Sequence, residues 1–271
     1  MNALSPVRSK PKSPTSASSQ TSVEPSVDDS WINESWIAKL CQGHVDLRQM
    51  SPQEHAALFA WRDAKGQSCV HHLVTHNQVK QTQWCLKHGA LIHAMDHQRR
   101  TPLALAVDEG HGDMVSMLLA YGADLRKAPA HDKLLIRAIN GQHVEVVRSL
   151  LVAGAHPNEG NRYAWYAPLA MAVLQKPWSL EIILDLLRWG ASPHASLSHG
   201  DTLLHEVARR LDEPGADLIW EALCHRGARV DVINQQGQTP LDIQQAYLKS
   251  HACLTSASSS PHMRLHPKSS C

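Results

Sequence analysis

The amino-acid sequence specifies an all-α protein built as a solenoid of short, paired antiparallel helices, and three observations support this. Gly-Ala pairs that close apolar runs recur at Gly89-Ala90, Gly122-Ala123, Gly154-Ala155, Gly190-Ala191 and Gly227-Ala228, at intervals of 32 to 37 residues. Between successive pairs lie two apolar stripes at helical spacing, divided by a turn residue. Each stripe spans only about ten residues, too few to bury its own apolar face, so stability must come from stacking neighbouring copies.

In chain order, residues 1 to 30 hold nine serines and four prolines with scattered apolar side chains, which cannot offset chain entropy. Residues 1–29 are therefore expected to form a disordered tail, and the Ser-rich stretch 255–271 a second one. Residues 30–62 read as a helical N-terminal cap. The run SWINESWIAKL places Trp31, Ile32, Trp36, Ile37 and Leu40 at the spacing of an amphipathic helix. Ser51, Pro52 and Glu54 then start a second helix as N-cap, first helical residue and returning carboxylate.

The repeats occupy 63–254, and the copy from Thr101 is the cleanest. Thr101 caps a short helix that begins at Pro102 and carries Leu103, Leu105, Ala106 and Val107. Gly110 makes the inner turn, and Met114, Val115, Leu118 and Leu119 form the second stripe. Gly122 ends that helix at positive φ, and Ala123 permits close packing. Before it, the copy from Asp63 uses Asn77 at the inner turn, the next best residue for positive φ. After it come KLLIRA with HVEVVRSLL, then APLAMA with LEIILDLLRWGA, where Lys176-Pro177 lengthens the inner turn. A fifth copy, GDTLLHEVA, has a longer inner turn around Asp212 to Gly215. A sixth, NQQGQTPLDIQ from Asn234, turns polar as a terminal cap should.

The stretch TPLALA…GH…MVSMLLAYGAD, with the matches in the other copies, resembles the ankyrin repeat over about Asp63 to Leu254. Arg99 stands where that pattern has a loop glycine, and Ala104 where it has His. The resemblance implies about six repeats with hairpin-like loops on one side, binding other proteins along the concave helices and loop tips. Its variable contact positions fall on Lys65, Gln67, Thr75, His76 and His88, then His97, Gln98, Arg100, Asp108, Glu109 and Tyr121, then Tyr163, Trp165, Tyr166 and Trp189, and finally His199, Asp201, Arg209, Arg210 and Arg226. Among these, Tyr121, Tyr163, Trp165, Tyr166 and Trp189 are expected to form a central aromatic binding patch, where interface energy concentrates. Alternatively, Trp165 and Tyr166 tuck against the fourth copy. Asp108 and Glu109 on one side, with Arg209, Arg210 and Arg226 on the other, would orient a partner of mixed charge. The resemblance also implies that His71, His205, His111 and His143 act as struts between loops.

Other functions receive little support. Twenty-six basic against 25 acidic side chains remove the simple electrostatic case for nucleic acid. No apolar run reaches the roughly 18 to 20 residues of a membrane-spanning helix, and no secretory leader is expected. The six cysteines form no CxxC pair, so reduced thiols and a cytoplasmic location are expected. The chain carries no GxSxG, P-loop, GxGxxG or HExxH. No catalysis, metal or cofactor is therefore expected, only a protein-binding module, monomeric until a partner arrives. Two alternatives stand beside it. In one, an effector delivered by a non-Sec route captures a host protein. In the other, a metal-binding or catalytic protein uses Cys69, His72, His76, Cys85 and His88 as ligands.

Overall fold

The computed structural model describes residues 31–127, 133–158 and 167–255; the expected tail 1–29 and all but the first residue of the expected tail 255–271 lie outside them. Thirteen α-helices run through the described residues: α1 (Glu34–Cys41), α2 (Pro52–Ala60), α3 (Cys69–Thr75), α4 (Val79–Lys87), α5 (Pro102–Asp108), α6 (Gly112–Ala120), α7 (Leu134–Asn140), α8 (Val144–Val152), α9 (Pro168–Leu174), α10 (Leu180–Arg188), α11 (Leu203–Arg209), α12 (Ala216–His225) and α13 (Pro240–Thr255).

Contacts sort these helices into two layers. The first helices of successive copies pack in the series α1, α3, α5, α7, α9, α11, α13, and the second helices in the series α4, α6, α8, α10, α12. Each helix thus covers its neighbour's apolar face, as quasi-one-dimensional stacking requires. The result is one continuous core from Ile32 to Leu223, in which Leu73, Leu118, Leu150, Leu186 and Leu223 are inaccessible to solvent.

The Gly-Ala signal has a geometric cause. Gly122 adopts φ +88°, so its N–H donates to the Leu119 carbonyl at 3.0 Å and the Ala123 N–H reaches back to Leu118 at 3.0 Å. This Schellman ending satisfies carbonyls that the helix leaves open. The same backward bond joins Ala90 to Cys85, Ala155 to Leu150, Ala191 to Leu186 and Ala228 to Leu223. Inner turns also use positive φ: Asn77 at 52°, Gly110 at 74° and Gln142 at 56°.

Helix starts follow the sequence signals, with one shift. Ser51 and Glu54 form the reciprocal capping box of α2, and Thr101 Oγ1 accepts from the Ala104 N–H. Helix α1, however, starts at Glu34, leaving Trp31 and Ile32 ahead of it. The cause is Asn33, whose side chain accepts from the Trp36 N–H at 3.0 Å.

The two lengthened inner turns meet. Trp178, after α9, is buried and donates its indole N–H to the Pro214 carbonyl at 3.2 Å. The Arg210 guanidinium lies 4.1 Å from the centre of the Trp178 ring. What reads as two separate insertions in the sequence is a single packed junction between neighbouring copies.

Candidate functional site

The loops that join one copy to the next are held rigid from within. Asp63 Oδ1 accepts from the Lys65 and Gln67 N–H groups, Asp96 Oδ1 from Gln98 and Arg100, and Asn234 Oδ1 from Gln236 and Gln238. Adjacent loops are tied by backbone bonds, His97 N–H to the Lys65 carbonyl at 2.9 Å and Gln235 N–H to His199 at 3.0 Å. Burial pushes the Asp96 carboxyl up, but the Arg100 backbone N–H and guanidinium outweigh it and hold Asp96 below the usual carboxylate range.

Histidine struts brace these loops. His71 Nδ1 accepts from the Ser68 N–H, which leaves Nε2–H to donate to the Arg100 carbonyl of the next loop at 3.1 Å. His205 repeats the arrangement between Thr202 and Gln238. His111 Nε2 reaches the Thr75 carbonyl, and His143 Nε2 the Asp108 carbonyl, each at 3.2 Å. All four histidines bridge neighbouring copies.

On this frame the candidate contact residues separate. Tyr121 and Trp189 occupy equivalent places at the ends of α6 and α10, with Ala153 at that place in the copy between them. Trp189 is 48% exposed, an open indole on a rigid helix end, whereas Tyr121 is half-buried. Tyr163, Trp165 and Tyr166 lie outside the described residues.

The charged candidates differ from expectation. Asp108 is held by Arg137 of the next copy, and Arg209 binds Asp201 at 2.8 Å and reaches Glu206. Arg210 is not on the surface at all: it is 5% exposed, donates to the Val173 and Gln175 carbonyls at 2.6 and 2.8 Å, and forms a two-point pair with Glu213. The reason is helical direction. Arg209 and Arg210 are consecutive at the end of α11, so one points outward and the other into the Trp178 junction. Glu109 and Arg226 remain exposed.

The proposed metal ligands are engaged elsewhere. Cys69 and Cys85 are inaccessible, and hydrogen bonding to Cys69, with burial, pushes the Cys85 thiol far up. Burial, helped by Cys69, raises Cys41 to about 11. His72 pairs with Asp63 at 3.1 Å, His76 bonds the His72 carbonyl, and His88 stacks on Trp84 at 3.8 Å. Among the described residues, no three His, Cys, Asp or Glu side chains are grouped to hold a metal ion.

Two features were hidden in the sequence. A cleft of about 270 Å³ lies between the fourth and fifth copies, lined by Leu174, Leu197, Ser198, Asp201 and Glu206. Arg148 joins Glu145 on its own helix to Glu181 and the buried Asp185 on α10, an ion-pair cluster spanning two copies. Arg148 and Asp185 are 37 residues apart, and only the repeat period marks them as neighbours.

The family pattern for ankyrin repeats, in three copies, matches with spans at residues 38–129 and 71–161. Mouse and human ankyrin repeat domain-containing protein 13B are each 32% identical over 94 residues, which is 34% of this chain and 15% of theirs. The match therefore touches a small part of those relatives. Among solved structures, the ankyrin repeat domain of Bcl-3, described as a unique member of the IkappaB protein family, superposes with a TM-score of 0.59 at 24% identity, covering 76% of this chain and 92% of that one. The human ASB11 ankyrin repeat domain gives 0.56 at 20%, covering 85% and 100%. An ankyrin repeat domain from Acinetobacter baumannii AYE gives 0.56 at 27%, covering 71% and 95%. Among the described residues no helix is long and apolar enough to cross a membrane.

Proposed function

The chain belongs to the ankyrin-repeat family, whose repeats are generic protein-interaction modules, and from that premise we propose that it acts without catalysis by holding a partner protein against its loop tips and inner helices. The observation that carries this reading is Trp189. A 48% exposed indole at the end of a helix that buries Ile182, Ile183, Leu186 and Leu187 is the surface feature of an interface anchor. Half-buried Tyr121, two copies away, extends the row. The surface is preformed, because Schellman endings, Asx loops and histidine struts fix the backbone before any partner arrives, which lowers the ordering cost of association.

The test is affinity purification with mass spectrometry from lysate of the source cell, comparing the native chain with a Tyr121→Ala, Trp189→Ala variant of unchanged circular dichroism. A protein retained by the first and lost from the second supports the reading; identical recovery refutes it for these two side chains. Delivery into another cell is the second reading, favoured by the Ser/Pro-rich composition of residues 1 to 30. Deleting 1–29 abolishes transfer if it holds and leaves localisation unchanged if it does not.

A further inference from the structure

The loops at the N-terminal end of the solenoid, residues 63–67, 96–100 and 124–127, hold three acids against five basic side chains and present mainly one sign to solvent. Two of their three acids face inward. The Asp63 side chain is 7% exposed and spends its oxygens on the Lys65 and Gln67 N–H groups and on His72. Asp96 is 1% exposed and is consumed by Gln98 and Arg100. Asp124 accepts from the Arg126 N–H but stays exposed, one acid beside four exposed cations. The cations face outward: Lys65, Arg99, Arg126 and Lys127 are exposed, and none forms an ion pair among the described residues. The first two loops are stitched by the His97 to Lys65 bond, and Lys127 of the third lies close enough to depress His93 of the second, after burial.

Arg99 adds an independent sign. Three equivalent loop positions hold glycine, Gly66, Gly200 and Gly237, with φ of 74° to 75°. The fourth forces Arg99 into φ 61°, a conformation that costs a side-chain-bearing residue about 1 kcal/mol or more. A large cation thus occupies a loop tip at which glycine would be easier. The C-terminal loop tips, with Ser198, His199, Gln235 and Gln236, carry no such charge, and Arg229 nearby is paired with Asp231 at 3.0 Å.

We propose that the loop edge formed by Lys65, Arg99, Arg126 and Lys127 is a docking strip for an acidic segment of a protein partner. It builds on the protein-binding reading above but uses different residues from the aromatic row. A polypeptide fits better than a nucleic acid, because residues 63–67, 96–100 and 124–127 hold no Trp, Tyr or Phe on which a base could stack. Steering by such a strip acts mainly on association rate and specificity.

The test is fluorescence anisotropy on the full chain at low salt, with a labelled peptide of alternating Glu and Ser, its Gln-for-Glu counterpart, and a labelled DNA duplex. The native chain should bind the Glu peptide and not the Gln peptide. Replacing Lys65, Arg126 and Lys127 by Gln and Arg99 by Gly together should weaken binding roughly tenfold or more. A control that loses four distant exposed cations, Lys176→Gln, Arg188→Gln, Arg229→Gln and Lys249→Gln, should change it by less than about twofold. Arg99→Gly alone should weaken binding while leaving the unfolding temperature equal or higher, a combination that damaged folding cannot produce. Equal losses in the two quadruple variants, equal binding of the Glu and Gln peptides, or tighter binding of the duplex would each overturn the proposal. The aromatic row is untouched by these substitutions, so failure here and failure of the interface reading register separately.

Discussion

Replacing Arg210 by Met keeps the aliphatic stem against Trp178 and removes the charge from a junction where it has four polar contacts. The guanidinium donates to the Val173 and Gln175 carbonyls at 2.6 and 2.8 Å and twice to Glu213 at 2.7 Å, with its centre 4.1 Å from the Trp178 ring. The Glu213 side chain is 23% exposed and can turn to water, so its loss is small. The Val173 carbonyl lies in the buried contact and cannot recover its charged donor, at about 1.5 to 3 kcal/mol. The desolvated cation–π contact adds about 1 to 2 kcal/mol. Arg210→Met should therefore cost about 2.5 to 5 kcal/mol, and Arg210→Ala about 1 kcal/mol more through lost packing. Urea unfolding followed by circular dichroism measures the loss. Hydrogen exchange read by mass spectrometry locates it, with protection falling first in α9 to α12 and persisting in α3 to α6, because a solenoid can open copy by copy. A loss below about 1 kcal/mol for Arg210→Met, or one spread evenly along the chain, would show that the junction does not hold the fourth and fifth copies together.

Gly110→Ala and Gly122→Ala impose the same positive-φ cost but differ in surroundings. A Cβ on Gly110 would lie 2.5 Å from His143 Nδ1, whereas nothing lies within 4 Å at Gly122. Urea midpoints should show a cost of about 1 kcal/mol for Gly122→Ala and about 2 to 3 for Gly110→Ala, which also displaces the His143 strut; equal losses would contradict the strut. Acid should weaken the fold through His71. Burial lowers its folded-state value below the ordinary 6.5, so the unfolded chain binds the extra proton first, and the stability His71 contributes is present above 6.5 and lost as pH falls below it. In urea titrations between about pH 7 and 5, His71→Gln should show a shallower pH dependence than the native chain; an unchanged slope would remove His71 as its source.

Much of the architecture was legible because it rests on local chemistry. Thr101-Pro102, Ser51 with Glu54, and each Gly-Ala pair announce helix ends through backbone hydrogen bonds that involve only a few neighbouring residues. Asn33 was as local a signal, yet the apolar pattern around Trp31 and Ile32 obscured it, since hydrophobic spacing marks a face and not a boundary. The candidate surface was less legible. Its charges at Asp108 and Arg209 are neutralised by residues on other helices or loops, and one of two adjacent arginines turns inward.

The sequence by itself determined the class of structure, the period of its repeats, most helix ends and the histidines that strut the loops, because each depends on interactions within one copy or between equivalent places in successive copies. Only the tertiary structure decided which charges meet solvent. The Trp178–Arg210–Glu213 junction, the Arg148 cluster and the outward cations beside inward Asp63 and Asp96 all depend on side-chain direction and on contacts across copies. Direction and burial are properties of the packed solenoid, and a one-dimensional pattern of residue types does not contain them.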